Sequence, residues 1–140
     1  MSALEVSRGA RRAALARAAL GVTAALFGVA TLLEGGTVLF GGPAARAEAG
    51  DVVPFVLVFN FGAGFGYVLA GVATLLGKGW ASWVARALAL GSLAVLAAFA
   101  VHALSGGAFE ARTVLAMPVR AGFWVVQALL LPRALERRSR

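Results

Sequence analysis

Long apolar runs separated by short polar connections dominate the chain. The four runs cover residues 18–40, 52–76, 87–104 and 113–131. A helix needs about 20 apolar residues to cross the hydrocarbon core of a bilayer, so each run is long enough once its flanking turn is included. The pattern predicts an all-α integral membrane protein with four transmembrane helices. Because the connections are short, we expect an up-and-down bundle.

The first run could instead be the core of a cleaved secretory signal, because Ala45-Arg46-Ala47 resembles a cleavage site. A signal core is only about 7–15 residues long and lacks a charge such as Glu34. We therefore expect the run to remain as a span. The predicted spans are residues 13–40, 52–77, 80–104 and 112–132. They form one transmembrane domain, residues 13–133, between a basic segment, residues 1–12, and a basic tail, residues 134–140.

Basic residues are distributed unevenly about these spans. Only Arg46 and Arg112 flank the spans on one side, and Arg120 lies inside a span. The other side has Arg8, Arg11, Arg12, Arg17, Lys78, Arg86, Arg133, Arg137, Arg138 and Arg140. Because loops rich in Lys and Arg stay in the cytoplasm, both termini are predicted to be cytoplasmic.

Composition supports a lipid environment. Hydrophobic residues make up 61% of the chain, charged residues only 14%, and the mean hydropathy is +0.88. So few charges cannot cover a water-soluble domain. The net charge of +7 is explained by membrane orientation, so no nucleic-acid partner is expected. The absence of cysteine excludes disulfides, thiolate metal sites and cysteine nucleophiles.

A glycine-rich stretch, FNFGAGFGYVLAG at residues 59–71, lies within the second span. A dinucleotide-binding loop would need a preceding strand, and an ion filter would need a re-entrant pore helix. Neither is predicted here. Helical spacing instead places Gly62, Gly66 and Ala70 on one small-residue face, which we expect to pack helices closely or to form an oligomer seam. A second, polar face carries Asn60, Gly64, Tyr67, Gly71, Thr74 and Lys78.

Polar side chains within the spans are the main functional signal. Ionisable groups in a bilayer are costly and usually face the bundle interior. Glu34, His102 and Arg120 are of this kind, and Asn60 is a strong hydrogen-bonding neighbour. At 1.5 Å per helical residue, each lies about 20–27 Å from the basic residue at the cytoplasmic end of its own helix. We expect these four residues to meet in one layer of the outer half.

The predicted layer has two interpretations. In the functional one, Arg120 holds an anionic or carbonyl-bearing ligand, while Glu34 and His102 relay a proton, because histidine changes charge near neutral pH. Trp124 and Gln127 continue the face of Arg120 and complete the site, with Trp124 able to form a cation–π pair. In the structural interpretation, an ion pair between Glu34 and Arg120 fixes the helix register.

Few residues of the chain could bind a metal ion or a heme. One histidine and one carboxylate leave a metal shell incomplete, so no metal is expected. Heme would need His102 and a second ligand such as Met117, and it is disfavoured because methionine more often fills gaps in a core. The sequence contains no Ser-His-Asp arrangement, phosphate loop or paired carboxylate site. Catalysis by this chain alone is therefore the least supported class.

Two segments resemble a known family. Residues 66–97, GYVLAGVATLLGKGWASWVARALALGSLAVLA, resemble the second-to-third helix region of DoxX-like proteins. Residues 16–33, ARAALGVTAALFGVATLL, resemble the opening pattern of that family. Glu34 stands where the family commonly has a basic residue, and Gly64-Phe65 where it commonly has an acidic one. No site residue is therefore carried over.

The resemblance implies a small four-helix protein of the bacterial cytoplasmic (inner) membrane, associated with redox work and sometimes with quinone. The leading hypothesis is therefore an accessory subunit of a membrane redox or quinone-linked assembly, with a small-molecule pocket. The alternative is a small homo-oligomeric transporter or channel for an anion, a proton or a small metabolite. A third class is a scaffold without a ligand.

Overall fold

The computed structural model describes residues 3–136, which form five helices and no strand. The helices are α1 (Ala3–Phe40), α2 (Gly42–Ala49), α3 (Pro54–Leu75), α4 (Ala81–Leu104) and α5 (Ala111–Glu136). Helices α1, α3, α4 and α5 are long and apolar enough to cross a membrane. The predicted all-α class and the four candidate spans are thus confirmed. Helix α2 was not predicted.

Each of the four long helices packs mainly against two of the others. Helix α1 packs against α3 and α5, and α4 packs against the same two helices. Helix α2 lies against α1. It has Pro43 in its first turn, where the missing N–H of proline costs nothing. Two arginines fasten it, because Arg46 Nη2 donates to the Leu39 carbonyl (3.2 Å) and Arg112 Nη2 to the Ala49 carbonyl (2.8 Å).

Glycines end α3 and α4 in the same way. Gly77 and Gly106 have φ of 68° and 81°, a left-handed conformation that glycine adopts without a steric penalty. After α3, the Gly77 N–H donates to the Thr74 carbonyl and the Lys78 N–H to the Ala73 carbonyl. These two bonds define a Schellman motif, which satisfies carbonyls that the helix end would otherwise leave free.

Helices α1 and α3 approach most closely at glycines. A Cβ added to Gly71 would lie 2.5 Å from the Ala25 nitrogen and 2.7 Å from the Gly21 carbonyl oxygen. A Cβ added to Gly28 would lie 2.7 Å from the Val68 nitrogen. Because these neighbours are backbone atoms, no side-chain rotation could relieve the overlap. We call these contacts the glycine seam, formed by Gly21, Gly28, Gly64 and Gly71.

The three predicted packing residues differ in what they contact. A Cβ added to Gly62 would meet nothing within 4 Å, whereas one added to Gly66 would lie 3.0 Å from Leu88 of α4. Ala70 is fully buried in the core. The face predicted to be polar contains Gly64 and Gly71, so it carries the closest helix contact. Gly66 and Ala70 thus contact other helices and Gly62 does not, while the closest backbone approach to α1 lies on the other face of α3.

An aromatic layer fills the centre of the molecule. Phe27 of α1 stacks on Tyr67 of α3 at 5.5 Å between ring centroids, and it contacts Phe123 of α5 at 4.8 Å. Trp124 of α5 lies 4.6 Å from Tyr67 and 5.3 Å from Phe123. These four side chains form one contiguous group that joins three helices. We call them the aromatic layer.

Candidate functional site

A cavity of about 640 Å³ lies between α1, α2, α3 and α5, at the end of the molecule next to α2. Its polar lining includes Arg120 and Asn60, with carboxylates at Glu34, Glu48 and Glu110. The remaining lining is mostly valine, leucine, alanine and threonine. The size and mixed character match those of small-molecule sites. We call it the Arg120 cavity.

Arg120 is the buried cation of this cavity, with a relative exposure of 8%. Its Nη1 lies 3.5 Å from the Thr31 hydroxyl oxygen, which accepts a long hydrogen bond. Its Cζ lies 5.3 Å from the centre of the Phe27 ring. Its Nε is buried and has no hydrogen-bond partner among residues 3–136. Much of the donor capacity of the guanidinium is therefore unused.

The predicted cation–π partner was wrong. Arg120 lies over Phe27 of α1, whereas Trp124 packs against Tyr67 and Phe123. Trp124 is one turn further along α5, at a level where the aromatic layer occupies the interior. Its ring is completely buried there, outside the cavity. Trp124 therefore supports the helix that positions Arg120.

Asn60 of α3 faces the same cavity as Arg120. Its Nδ2 donates to the Met117 sulfur at 3.7 Å, and its Oδ1 is buried without a partner in the described part of the chain. Thioether sulfur is a weak acceptor. The amide thus offers a free acceptor, and a donor that is held only weakly. Next to Arg120, it gives the cavity both donor and acceptor atoms.

Glu34 lines the cavity but remains exposed. The contacts of the Arg120 guanidinium are with Thr31 and Phe27, and within residues 3–136 no ion pair joins it to Glu34. The structural interpretation required such a pair. Glu34 is therefore placed to influence what reaches Arg120, while it leaves the cation uncompensated.

His102 does not join the cavity. Its Nε2 lies 3.0 Å from the Ala108 carbonyl oxygen in the connection between α4 and α5, and its ring lies 6.1 Å from that of Phe55. The prediction that His102 meets the other three polar residues was wrong. Because His102 is in the last turn of α4, its side chain reaches the following connection. Helix α4 contributes nothing to the cavity lining.

Gln127 is also outside the cavity. It is buried, and its Nε2 donates to the Leu20 carbonyl oxygen at 3.0 Å, which ties α5 to α1 on the far side of the aromatic layer. Within the described residues, no group of three histidine or acidic side chains could hold a metal ion. The Met117 sulfur contacts Asn60, and the His102 ring contacts the α4–α5 connection.

Several rim residues were not predicted. Glu110 lies on the rim, where its Oε1 accepts a hydrogen bond from the Asp51 N–H at 3.0 Å. Arg112 and Glu48 also line the rim. The signal that could have found them is the clustering of these charges in the two connections on one side of the predicted spans. The rim of the cavity therefore carries carboxylates, whereas its interior carries the Arg120 cation.

Four candidate membrane-spanning helices indicate a multi-pass membrane protein. Comparisons of the chain with protein-family models, with curated proteins and with solved structures found no match. The resemblance to DoxX-like proteins accordingly stays a prediction from the sequence.

Proposed function

We propose that the chain is an accessory subunit of a membrane redox or quinone-linked assembly and binds a carbonyl-bearing small molecule in the Arg120 cavity. In this proposal the four long helices cross a bacterial cytoplasmic membrane as an up-and-down bundle. Both termini are cytoplasmic, as the distribution of Lys and Arg favours. The α2 end, with the mouth of the cavity, is then on the outer side.

The proposal depends mainly on the burial of Arg120 and on its unused hydrogen-bond donors. An arginine inside a membrane costs about 2.5–3.5 kcal/mol or more, so such residues usually have a partner. Arg120 is nearly completely buried, its Nε has no partner within residues 3–136, and its best contact is an aromatic face. A ligand oxygen in the cavity would supply the missing acceptor. Binding would then compensate the cost of burying the cation.

The chemistry of the cavity suits a quinone-class ligand. The Arg120 guanidinium can donate to a ring carbonyl, and Asn60 can accept from a hydroxyl when the ligand is reduced. Val53, Val56 and Leu57 provide an apolar wall for the ring. A bound quinone would supply a two-electron carrier. The residues of this chain would bind and orient its ring.

Removal of the cation should weaken binding. We expect Arg120→Gln to raise the dissociation constant for menadione about tenfold or more, because a hydrogen bond from a charged donor is lost. Binding is measured by isothermal titration to the purified protein in detergent micelles. Arg11→Gln is the matched control, since Arg11 is exposed and does not line the cavity. Equal affinities for the wild type and Arg120→Gln would contradict the proposed ligand.

The role as a subunit needs a separate measurement. Tagged protein is purified from native membranes in a mild detergent, and oxidation of added quinol is compared between membranes with and without the chain. We expect a larger redox complex to copurify and the oxidation rate to fall when the chain is absent. Copurification of no redox partner, together with an unchanged rate, would remove this part of the proposal.

A small homo-oligomeric transporter or channel is the second candidate. One observation favours it, because a second void of about 390 Å³ opens between α1 and α5 on the other side of the aromatic layer. We call this void the terminal groove. Its lining includes Arg12, Ala16, Ala19, Leu20, Leu130 and Arg133. Both voids have α1 and α5 in their walls, one on each side of the aromatic layer, as the two ends of a transport path would.

Flux measurements separate the two candidates. If the chain only binds its ligand, sealed liposomes containing the purified protein should pass no chloride, potassium or protons, with or without a membrane potential. Flux that Glu34→Gln or Arg120→Gln abolishes would favour transport instead. The aromatic layer stands between the two voids, so conduction would require these rings to move.

A further inference from the structure

We propose that the terminal groove holds an anionic phospholipid, with one acyl chain between α1 and α5 and the phosphate between Arg12 and Arg133. This site is separate from the Arg120 cavity and does not depend on a redox role. It requires only that α1 and α5 cross a bilayer.

The groove exists because α1 has small side chains where it faces the end of α5. Ala13, Ala16 and Ala19 line the α1 side, and Leu130 lines the α5 side. The alanines are too short to bridge the gap between the helices. The lining is almost entirely apolar, and Ala16, Ala19 and Leu130 are exposed. Such a surface suits a hydrocarbon chain and is unfavourable for water.

The groove also has an apolar end, towards the aromatic layer. Leu20 lies at this end, and its carbonyl oxygen accepts the hydrogen bond from Gln127 Nε2 at 3.0 Å. Arg12 is two turns before Leu20 in α1, about 12 Å away along the helix axis. The groove thus has an apolar interior and a charged mouth. This polarity matches a lipid that has a hydrocarbon tail and a phosphate head.

Charge complementarity selects the head group. Arg12 and Arg133 are exposed, come from different helices and line the same void. Arg133 Nη1 donates to the Leu129 carbonyl at 2.7 Å, which holds its side chain beside α5 and leaves its other nitrogens available. Guanidinium groups bind phosphate through several parallel hydrogen bonds. Basic pockets between membrane helices are a recognised mode of anionic lipid binding.

Native mass spectrometry of the full chain released from nanodiscs tests the proposal. We expect phosphatidylglycerol to remain bound in preference to phosphatidylcholine. Retention should weaken about fivefold in Arg12→Gln or Arg133→Gln, and about 30-fold in the double variant. Arg11→Gln is the matched control, because Arg11 is exposed and does not line the groove. Loss of binding in Arg11→Gln equal to that in Arg12→Gln would overturn the proposal.

A second variant tests the apolar part without altering the charges. Ala16→Leu keeps the helix propensity of α1 high and fills the groove, so phosphatidylglycerol should be lost while far-UV circular dichroism stays unchanged. Retention of the lipid by this variant would overturn the proposal. Displacement of the lipid by inorganic phosphate would identify a free-phosphate site and also overturn it. A dimer that dissociates in Ala16→Leu, without lipid retention, would assign the groove to a second copy of the chain and overturn it as well.

Discussion

Gly71→Val should lower the free energy of unfolding by about 3 kcal/mol, because the new side chain cannot fit between α1 and α3. Its Cβ alone would overlap the Ala25 nitrogen and the Gly21 carbonyl oxygen, which belong to the backbone of α1. The two helices would have to separate, with loss of dispersion contacts along the seam. The measurement is reversible unfolding in mixed micelles with increasing SDS, followed by far-UV circular dichroism.

Gly62→Val provides the control on the same helix. A Cβ at Gly62 would meet nothing within 4 Å, and the substitution has the same cost in side-chain entropy. We expect its effect on stability to be within about 0.5 kcal/mol. Equal destabilisation at the two positions would mean that glycine is needed for helix flexibility, and the close approach of α1 and α3 would lose its energetic importance.

Arg120→Met should stabilise the protein by about 2 kcal/mol while removing ligand binding. A buried cation without a counter-charge is costly in a membrane, and methionine fills a similar volume without that cost. The sign of the change in stability distinguishes the functional from the structural interpretation of the polar layer. A structural ion pair would be broken by this substitution, and the protein would lose about 3–5 kcal/mol.

Two measurements on the same variant check this prediction. SDS-driven unfolding of Arg120→Met reports the change in stability, and titration with menadione reports the change in affinity. Arg11→Met is the control, because Arg11 is exposed on α1 away from the cavity and its replacement should change neither quantity appreciably. A destabilised Arg120→Met variant would show that the fold needs the charge for its own stability.

The long helices could be predicted because each follows from its own run of apolar residues. Twenty or so apolar residues in lipid must satisfy their own backbone hydrogen bonds, and a helix does so within one segment. Helix α2 was missed because its eight residues lack an apolar run and were assigned to a connection. Its signals were present nonetheless, since Pro43 comes at the start and alanines follow.

The candidate site could be predicted only in part. Depth along a helix follows from residue counting, and Glu34, Asn60 and Arg120 do line one cavity. His102 does not join them, because it lies in the last turn of α4, where its ring reaches the α4–α5 connection. Trp124 shares a face with Arg120, but the neighbouring helices fill that face at its level with aromatic rings. What fills a face depends on the partner helices.

The glycine seam was visible in the sequence but was not interpreted. Gly21 and Gly28 are seven residues apart, as are Gly64 and Gly71. A repeat of seven keeps one side of a helix directed at its neighbour over several turns. We instead interpreted the spacing of four between Gly62 and Gly66. Both spacings favour close packing, and only the position of a second helix distinguishes them.

The aromatic layer separates the Arg120 cavity from the terminal groove. Along α1 the order is Leu20, Phe27, Thr31, and along α5 it is Leu130, Phe123, Arg120, so both helices place these rings between the two voids. If the long helices cross a bilayer as proposed, a molecule bound at Arg120 would enter and leave the cavity on the α2 side of these rings.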